Sequence, residues 1–362
     1  MECPHIPELR YSAFGQRLQQ KTAHQRIPLA GSIELTERCN LQCTHCYINQ
    51  GVGDMRRSTR ELTRYEWYDI FHQLADEGCL WMLMTGGEMF VRSDSRDLYA
   101  AAKKTGLIVT LFTNGTTISP PIADYLAEWP PFAIEVTLYG ATEQTYEGVT
   151  RVRGSYRRCM KGIEYLLDRQ LPLKLKAMAL TSNWHELPAM QVYAASLGVD
   201  FRFDPLVNCR IDGSAAPAKL RLPPEQVVQL DLASDKRMAD WRAFCEKFIG
   251  TGANADNLYC CGAGVASFHI DAYGQLSACP IARHPSYDLR MGSFRQGWHD
   301  FLATVRQQKA PPDYPCGRCE LLALCGQCPG WSQLEHGPTE SARPVAYLHE
   351  VAHRRAEAFG VT

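Results

Sequence analysis

The 362-residue chain carries almost no net charge, a formal −1 at pH 7, and so lacks the electrostatic footprint of a nucleic-acid binder. No apolar run approaches the roughly 20 residues of a membrane span. Met1 to Arg10 lack the charged-then-apolar order of a secretory signal, so the expectation is a cytoplasmic protein with neither nucleic acid nor membrane as partner. Internal repeats and low-complexity segments are also missing. What remains is an ordinary globular composition, 45% hydrophobic and 21% charged, long enough for one large domain plus a smaller one. Cysteine, by contrast, is abundant, with fifteen. In a reducing compartment so many thiols point to metal rather than to disulfides, and their clustering supports this.

From Gly31 to Asp204 short apolar runs alternate with amphipathic segments of helical length. The spacing predicts strands at Ser32–Thr36, Leu80–Thr85, Leu107–Phe112, Ala133–Leu138, Leu173–Leu180 and Val199–Phe203. Thr63 to Glu66 and Asn183 to Glu186 read as capping boxes, and Ser119-Pro120 as an N-cap followed by proline. Gly78, Gly106 and Gly198 are placed to end helices in the left-handed conformation. Strict βα alternation favours a parallel sheet, and six units suit an open, partial (β/α)6 TIM-like barrel over a full eight-fold one. The expected organisation is an N-terminal extension (1–30), the barrel (31–204), a proline-interrupted bridge with one helix (205–240), and a region (241–362) that holds over half the cysteines. A final amphipathic helix near Val345 to Phe359 closes the chain.

The densest motif is Cys39-x3-Cys43-x2-Cys46, in a loop after the first strand. Three thiolates can hold three irons of a four-iron cluster and leave the fourth iron without a protein ligand. The bland alternative is zinc, with His45 as a fourth ligand from within the loop. The spacing closely resembles that of the radical S-adenosylmethionine (SAM) superfamily, in which the open iron chelates SAM and one electron cleaves it to a 5'-deoxyadenosyl radical. That resemblance implies two cofactors, SAM and one [4Fe-4S] cluster in the barrel. It also implies a SAM pocket at the strand ends. Gly86-Gly87-Glu88 after the second strand resembles the GGE motif, where glycines let backbone approach the amino end of SAM. Asn114 follows the third strand. Thr137 closes the fourth in Thr-Leu-Tyr-Gly, where the family usually has Ser-x-Asp-Gly, so Tyr139 replaces the usual carboxylate. Arg153 stands where relatives pair an arginine with the SAM carboxylate. His45 takes a place usually held by an aromatic residue. Singly these turns are weak signals; their succession at four strand ends is what carries weight.

In the C-terminal region Cys261 is followed by Gly274 and Cys279, and then by Cys316-x2-Cys319-x5-Cys325-x2-Cys328. Phe268 to Leu276 reads as a hairpin with Tyr273-Gly274 near its turn. Zinc knuckles are the structural alternative. The set resembles the SPASM domain, a cysteine-rich extension with one or two auxiliary [4Fe-4S] clusters. By resemblance Cys261, Cys279 and Cys328 belong to one cluster and Cys316, Cys319 and Cys325 to the other. Three departures stand out. The spacing before Cys328 is two residues rather than three. The last cysteine of the pattern is missing, with His349 and His336 as nearby candidates. Cys260 adjoins Cys261 as either a ligand or a bystander. Cys3, Cys79, Cys159, Cys209 and Cys245 have no partner at ligand spacing and read as core, although some related epimerases use one such thiol to return a hydrogen atom.

The resemblance implies an enzyme that takes a hydrogen atom from a peptide and leaves a crosslink, an epimer or another modification, with a precursor peptide as partner. A flavodoxin- or ferredoxin-type donor would supply electrons. Thirty residues before Gly31 are too few for a leader-recognition domain, so leader binding would fall to a separate small protein. The alternatives are a small molecule or tetrapyrrole side chain as substrate, and a non-catalytic metal-binding scaffold.

Overall fold

The computed structural model describes residues 11–22, 25–48, 50–53, 55–248 and 256–361. Its strands are β1 (Ala30–Glu34), β2 (Arg38–Cys39), β3 (Gln50–Gly51), β4 (Trp81–Thr85), β5 (Ile108–Thr113), β6 (Ala133–Thr137), β7 (Leu173–Met178), β8 (Asp200–Asp204), β9 (Ser267–Ile270), β10 (Gln275–Ser277) and β11 (Tyr287–Asp288). Strands β1 and β4 to β8 pair in parallel in the order β1-β4-β5-β6-β7-β8, with helices in the crossovers. This is the parallel α/β core of a partial barrel. Alternation sets its two faces. Ile33, Met82, Met84, Val109, Leu111 and Val136 are buried in the apolar core, while Ser32, Glu34, Thr85, Phe112, Glu135 and Lys176 fall on the other face.

Local signals account for the helices. Thr63 and Glu66 form the expected capping box, with Thr63 N donating to Glu66 Oε2 at 2.6 Å and Glu66 N to Thr63 Oγ1 at 3.3 Å. Gly78, Gly106 and Gly198 follow helix ends with φ of 84°, 92° and 69°. Ser119 precedes the helix Pro120–Glu128 in extended conformation, without a side-chain cap.

Two expectations need correction. Asn183 and Glu186 form no capping box. The Asn183 amide is drawn to Leu180 N, Tyr139 O and Met178 O at 2.8 to 3.0 Å. The Glu186 carboxylate instead accepts from Ala141 N, Thr142 and Thr145 at the start of the helix Glu143–Thr150. The bridge holds two helices rather than one, Pro224–Leu232 and Asp235–Phe248, the second running past residue 240. Buried Asp231 ties them together, accepting from Arg237 at 2.5 Å and from Arg355 of the closing helix Ala346–Phe359 at 2.9 Å.

The C-terminal region reaches into the same sheet. Strand β9 pairs in parallel with β1 on the side opposite β4, and β10 and β11 follow antiparallel. The turn of the β9–β10 hairpin is at Gly274, φ 87°. Among the described residues no helix is long and apolar enough to cross a membrane.

Candidate functional site

The chain leaves β1 through Leu35 to Glu37 and enters the cysteine loop at β2. Two anchors set the loop on the helix Glu143–Thr150, where Gln42 N and Thr44 N donate to Thr150 O and Val149 O at 3.0 Å each. A third comes from Arg210 Nε, 3.2 Å from Cys46 O. Around the Cys39 sulfur, Leu41 N lies at 3.4 Å and Asn114 Nδ2 at 3.7 Å, and the same Asn114 amide donates to Asn40 Oδ1 at 2.9 Å. Burial pushes the Cys39 thiol up to about 12, with the Glu88 charge adding to it. Cys43 is likewise raised by burial and by the charges of Cys46 and Cys39, with the Tyr139 hydroxyl opposing the shift. Unmetallated, these thiols keep their protons; iron would displace them.

The donor set fits a four-iron cluster. In such a cluster each thiolate would take a different iron, and the three thiols lie near enough for Cys39 to sense Cys46 and for Cys43 to sense both. Among the described residues no three His, Cys, Asp or Glu side chains converge as ligands of one ion. Within the loop, His45 carries a polar atom without a partner. Its ring packs 5.1 Å from Tyr139, its buried Nδ1 has no partner, and burial lowers it to about 4, so it is neutral at pH 7.

Gly86 and Gly87 are needed for a closer neighbour than any ligand. A Cβ on Gly86 would lie 2.2 Å from Thr36 O, and one on Gly87 2.3 Å from Arg38 O. Their absence lets the end of β4 dock on the cysteine loop, where Gly87 N and Glu88 N donate to Thr36 O and Arg38 O. The Glu88 carboxylate is fully buried and accepts from Thr113 Oγ1, Asn114 N and Phe90 N at 2.8 to 3.3 Å, which locks the end of β5. Burial raises its pKa despite these bonds. Thr137 ends β6 half-buried, whereas Arg153 is exposed at the turn before the helix Ser155–Leu167.

A charged network beside the loop was not anticipated. Buried Glu34 accepts from Arg283 at 2.7 Å and from the Tyr47 hydroxyl at 2.8 Å. Glu37 accepts from Arg283, Arg57 and the Tyr273 hydroxyl at 3.0 to 3.3 Å. Burial raises the Glu37 carboxyl, and the Glu34 charge adds to it. Glu37, Arg57, Asp271, Tyr273, Arg283 and His284 line an open cavity of about 560 Å3 between the loop and the hairpin. The available signal was two glutamates, at 34 and 37, in a segment otherwise reading as a buried strand and its exit.

The C-terminal cysteines fall into two neighbourhoods. Cys279 and Cys328 each sense the charge of Cys261, and Cys328 that of Cys279. The turns bearing them are pressed together at Gly330, where a Cβ would sit 2.9 Å from Ala282 N. Cys325 senses Cys316 and Cys319, and the Tyr314 hydroxyl acts on the Cys316 thiol, favouring the thiolate. Gly326, φ 68°, turns the chain between Cys325 and Cys328. His349 lies on the exposed face of the helix Ala346–Phe359, its ring 4.5 Å from His353. Cys79, Cys159, Cys209 and Cys245 are buried; Cys3 lies outside the described residues.

Residues 33–191 match the Radical SAM superfamily. The chain is 29% identical over 317 residues to the mycofactocin maturase MftC of Mycolicibacterium smegmatis, covering 83% of this chain and 78% of that protein. It is 27% identical over 323 residues to the PqqA peptide cyclase of Ruegeria pomeroyi, covering 83% and 84%. It is also 29% identical over 316 residues to the AdoMet-dependent heme synthase of Methanosarcina barkeri, covering 82% and 89%. In fold it resembles Streptococcus suis SuiB bound to the precursor peptide SuiA, with a TM-score of 0.68 at 16% identity over 96% of this chain and 84% of that one.

Proposed function

Residues 33–191 are a radical SAM domain, and from that premise we propose that the chain is a peptide maturase, abstracting a hydrogen atom from a precursor peptide to give a crosslink, an epimer or another modification. The observation that carries this reading is similarity along most of both chains to a mycofactocin maturase and to a PqqA peptide cyclase. When bound, the cluster would give SAM one electron, releasing methionine and leaving a 5'-deoxyadenosyl radical able to take a hydrogen atom from an unactivated carbon. Cys39, Cys43 and Cys46 hold the cluster. His45, Gly86, Gly87, Glu88, Asn114, Thr137 and Arg153 form the SAM pocket, with Glu88 acting through the backbone it fixes. The open cavity beside Glu37 and Tyr273, between the loop and the hairpin, takes the substrate. Cys261, Cys279 and Cys328 with Cys316, Cys319 and Cys325 hold auxiliary clusters suited to accepting an electron in a net oxidation. A flavodoxin- or ferredoxin-type donor and a separate leader-binding protein complete the system.

Similarity to the heme synthase favours a second reading, a tetrapyrrole or other small substrate. The test is anaerobic reconstitution followed by SAM, dithionite and a peptide encoded beside the gene. A peptide mass change with stoichiometric 5'-deoxyadenosine is expected. Deoxyadenosine without peptide change, together with turnover of a porphyrin, would replace this reading with the second; no deoxyadenosine at all would overturn both.

Tyr139 offers a more local test. Its ring is 9% exposed and its hydroxyl acts on the Cys43 thiol, favouring the thiolate. Hydrogen bonds to ligand sulfurs raise a cluster's potential. Tyr139→Phe is therefore expected to move the midpoint of the barrel cluster to more negative potential in an anaerobic redox titration, at unchanged iron content. An unmoved midpoint would mean the ring only packs.

A further inference from the structure

Resting on the reading of Cys39 to Cys46 as the seat of a cluster that must be reduced from outside, we infer that Arg151, Arg157, Arg158 and Lys161 form the docking surface of an acidic one-electron donor protein of the flavodoxin type. The four lie at the turn before the helix Ser155–Leu167 and on its exposed side; Arg153, assigned to SAM, shares the turn. All four are exposed, and among the described residues none has a carboxylate partner. Glu147 turns its carboxylate to Tyr156 N at 3.3 Å instead, and Glu164, further along the helix, pairs with none of them. The placement runs against helical preference. Cations at the start of a helix meet the positive end of its dipole, and the first turns here carry two arginines and no acid. Arg158 reaches back towards the turn, its Nη1 3.2 Å from where a Cβ on Gly154 would stand, which gathers the charge at that end. Such a concentration of one sign steers an oppositely charged protein and sets its orientation.

What the surface lies beside decides its occupant. Val149 O and Thr150 O, immediately before Arg151, accept from Thr44 N and Gln42 N at 3.0 Å each, and Cys43 is the residue between those two donors. From Tyr156, next to Arg157, the rings of Tyr146, Tyr139 and His45 pack in succession, with centroids 5.6, 5.7 and 5.1 Å apart. The basic surface and the cysteine loop are thus joined both by direct backbone hydrogen bonds and by a continuous run of packed rings. An electron from a donor seated on the patch has a short route through protein to the loop, where the reduced donor would give the cluster one electron and be oxidised by one itself. None of the four cations lines the cavity assigned to the substrate, which sets this occupant apart from the peptide.

The test uses the full, iron-loaded chain with a reduced acidic flavodoxin as donor, and dithionite as a reductant that needs no docking. Arg157→Glu and Arg158→Glu together reverse the patch, and the helix dipole favours the new carboxylates, so folding is not put at risk. Half-maximal 5'-deoxyadenosine formation is expected to need about tenfold more flavodoxin at low salt, at an unchanged dithionite-driven rate. Added salt should slow the flavodoxin-driven reaction of the wild type more than that of the variant. Independently of turnover, carbodiimide coupling of flavodoxin carboxylates should capture the Lys161 amine, read by mass mapping of the cross-linked peptides. Equal flavodoxin dependence in both proteins, an equal loss with dithionite, a shift in peptide rather than flavodoxin dependence, or cross-links only elsewhere would overturn the docking surface while leaving the cluster reading intact. No deoxyadenosine with either reductant would overturn both.

Discussion

Replacing Cys39, Cys43 and Cys46 together by alanine is expected to abolish 5'-deoxyadenosine formation and to remove about four irons per chain, the complement of one cubane, while iron bound by the C-terminal thiols stays. The separation follows from the fold. The barrel loop is anchored on the helix Glu143–Thr150 and on the ends of β4 and β5, whereas Cys261 to Cys328 are ordered by their own hairpin, turns and closing helix. The substitutions trim small side chains without charging the interior, so the far-ultraviolet spectrum should be retained. The expected activity loss is total, because the three substitutions remove every cysteine of the loop that follows β1. Undiminished SAM cleavage in the triple variant would sink the assignment of this loop, whatever the iron content.

Much of this site was legible because each part is a local pattern. The limits of the six parallel strands followed alternation to within two residues at every end, and cysteine spacing needed no tertiary information. The misread elements are those where a distant partner outbid a local one. Asn183 and Glu186 have the residue types of a capping box, yet the segment after β6 presents the Tyr139 carbonyl, to which Asn183 donates, and the Ala141 N–H, from which Glu186 accepts. Gly86 and Gly87 were legible as required glycines, but the group requiring them is the carbonyl row of Thr36 to Arg38, which only the β1–β4 pairing brings near. The charged network escaped for the same reason, since Glu34 and Arg283 are 249 residues apart in sequence and no periodicity links them.

That network gives the largest expected stability effect. Glu34 is buried on the face of β1 opposite the apolar core, where burial pushes its carboxyl up and the Arg283 guanidinium, with smaller help from His269 and Tyr47, pulls it down to about 2. A carboxylate depressed below its ordinary value contributes stability that is present above the ordinary carboxylate range and lost as pH falls towards 2. Arg283 is itself mostly buried and also serves Glu37. Arg283→Ala removes the main compensating charge and leaves a buried carboxylate, a change that costs about 3–5 kcal/mol when one partner of a buried pair is deleted. Denaturant titration of the iron-loaded protein near pH 7.5 is expected to show the midpoint falling accordingly. The deficit should shrink on acidification towards pH 5, because Glu34 without its cation has burial as the dominant influence and takes up a proton above its ordinary range. Glu34→Gln added to Arg283→Ala should recover part of the loss at pH 7.5 and abolish most of that pH dependence, since the amide keeps the Tyr47 hydrogen bond without the charge. Equal deficits at both pH values, or a double variant no better than the single one, would show that Arg283 acts by packing rather than by holding the charge of Glu34.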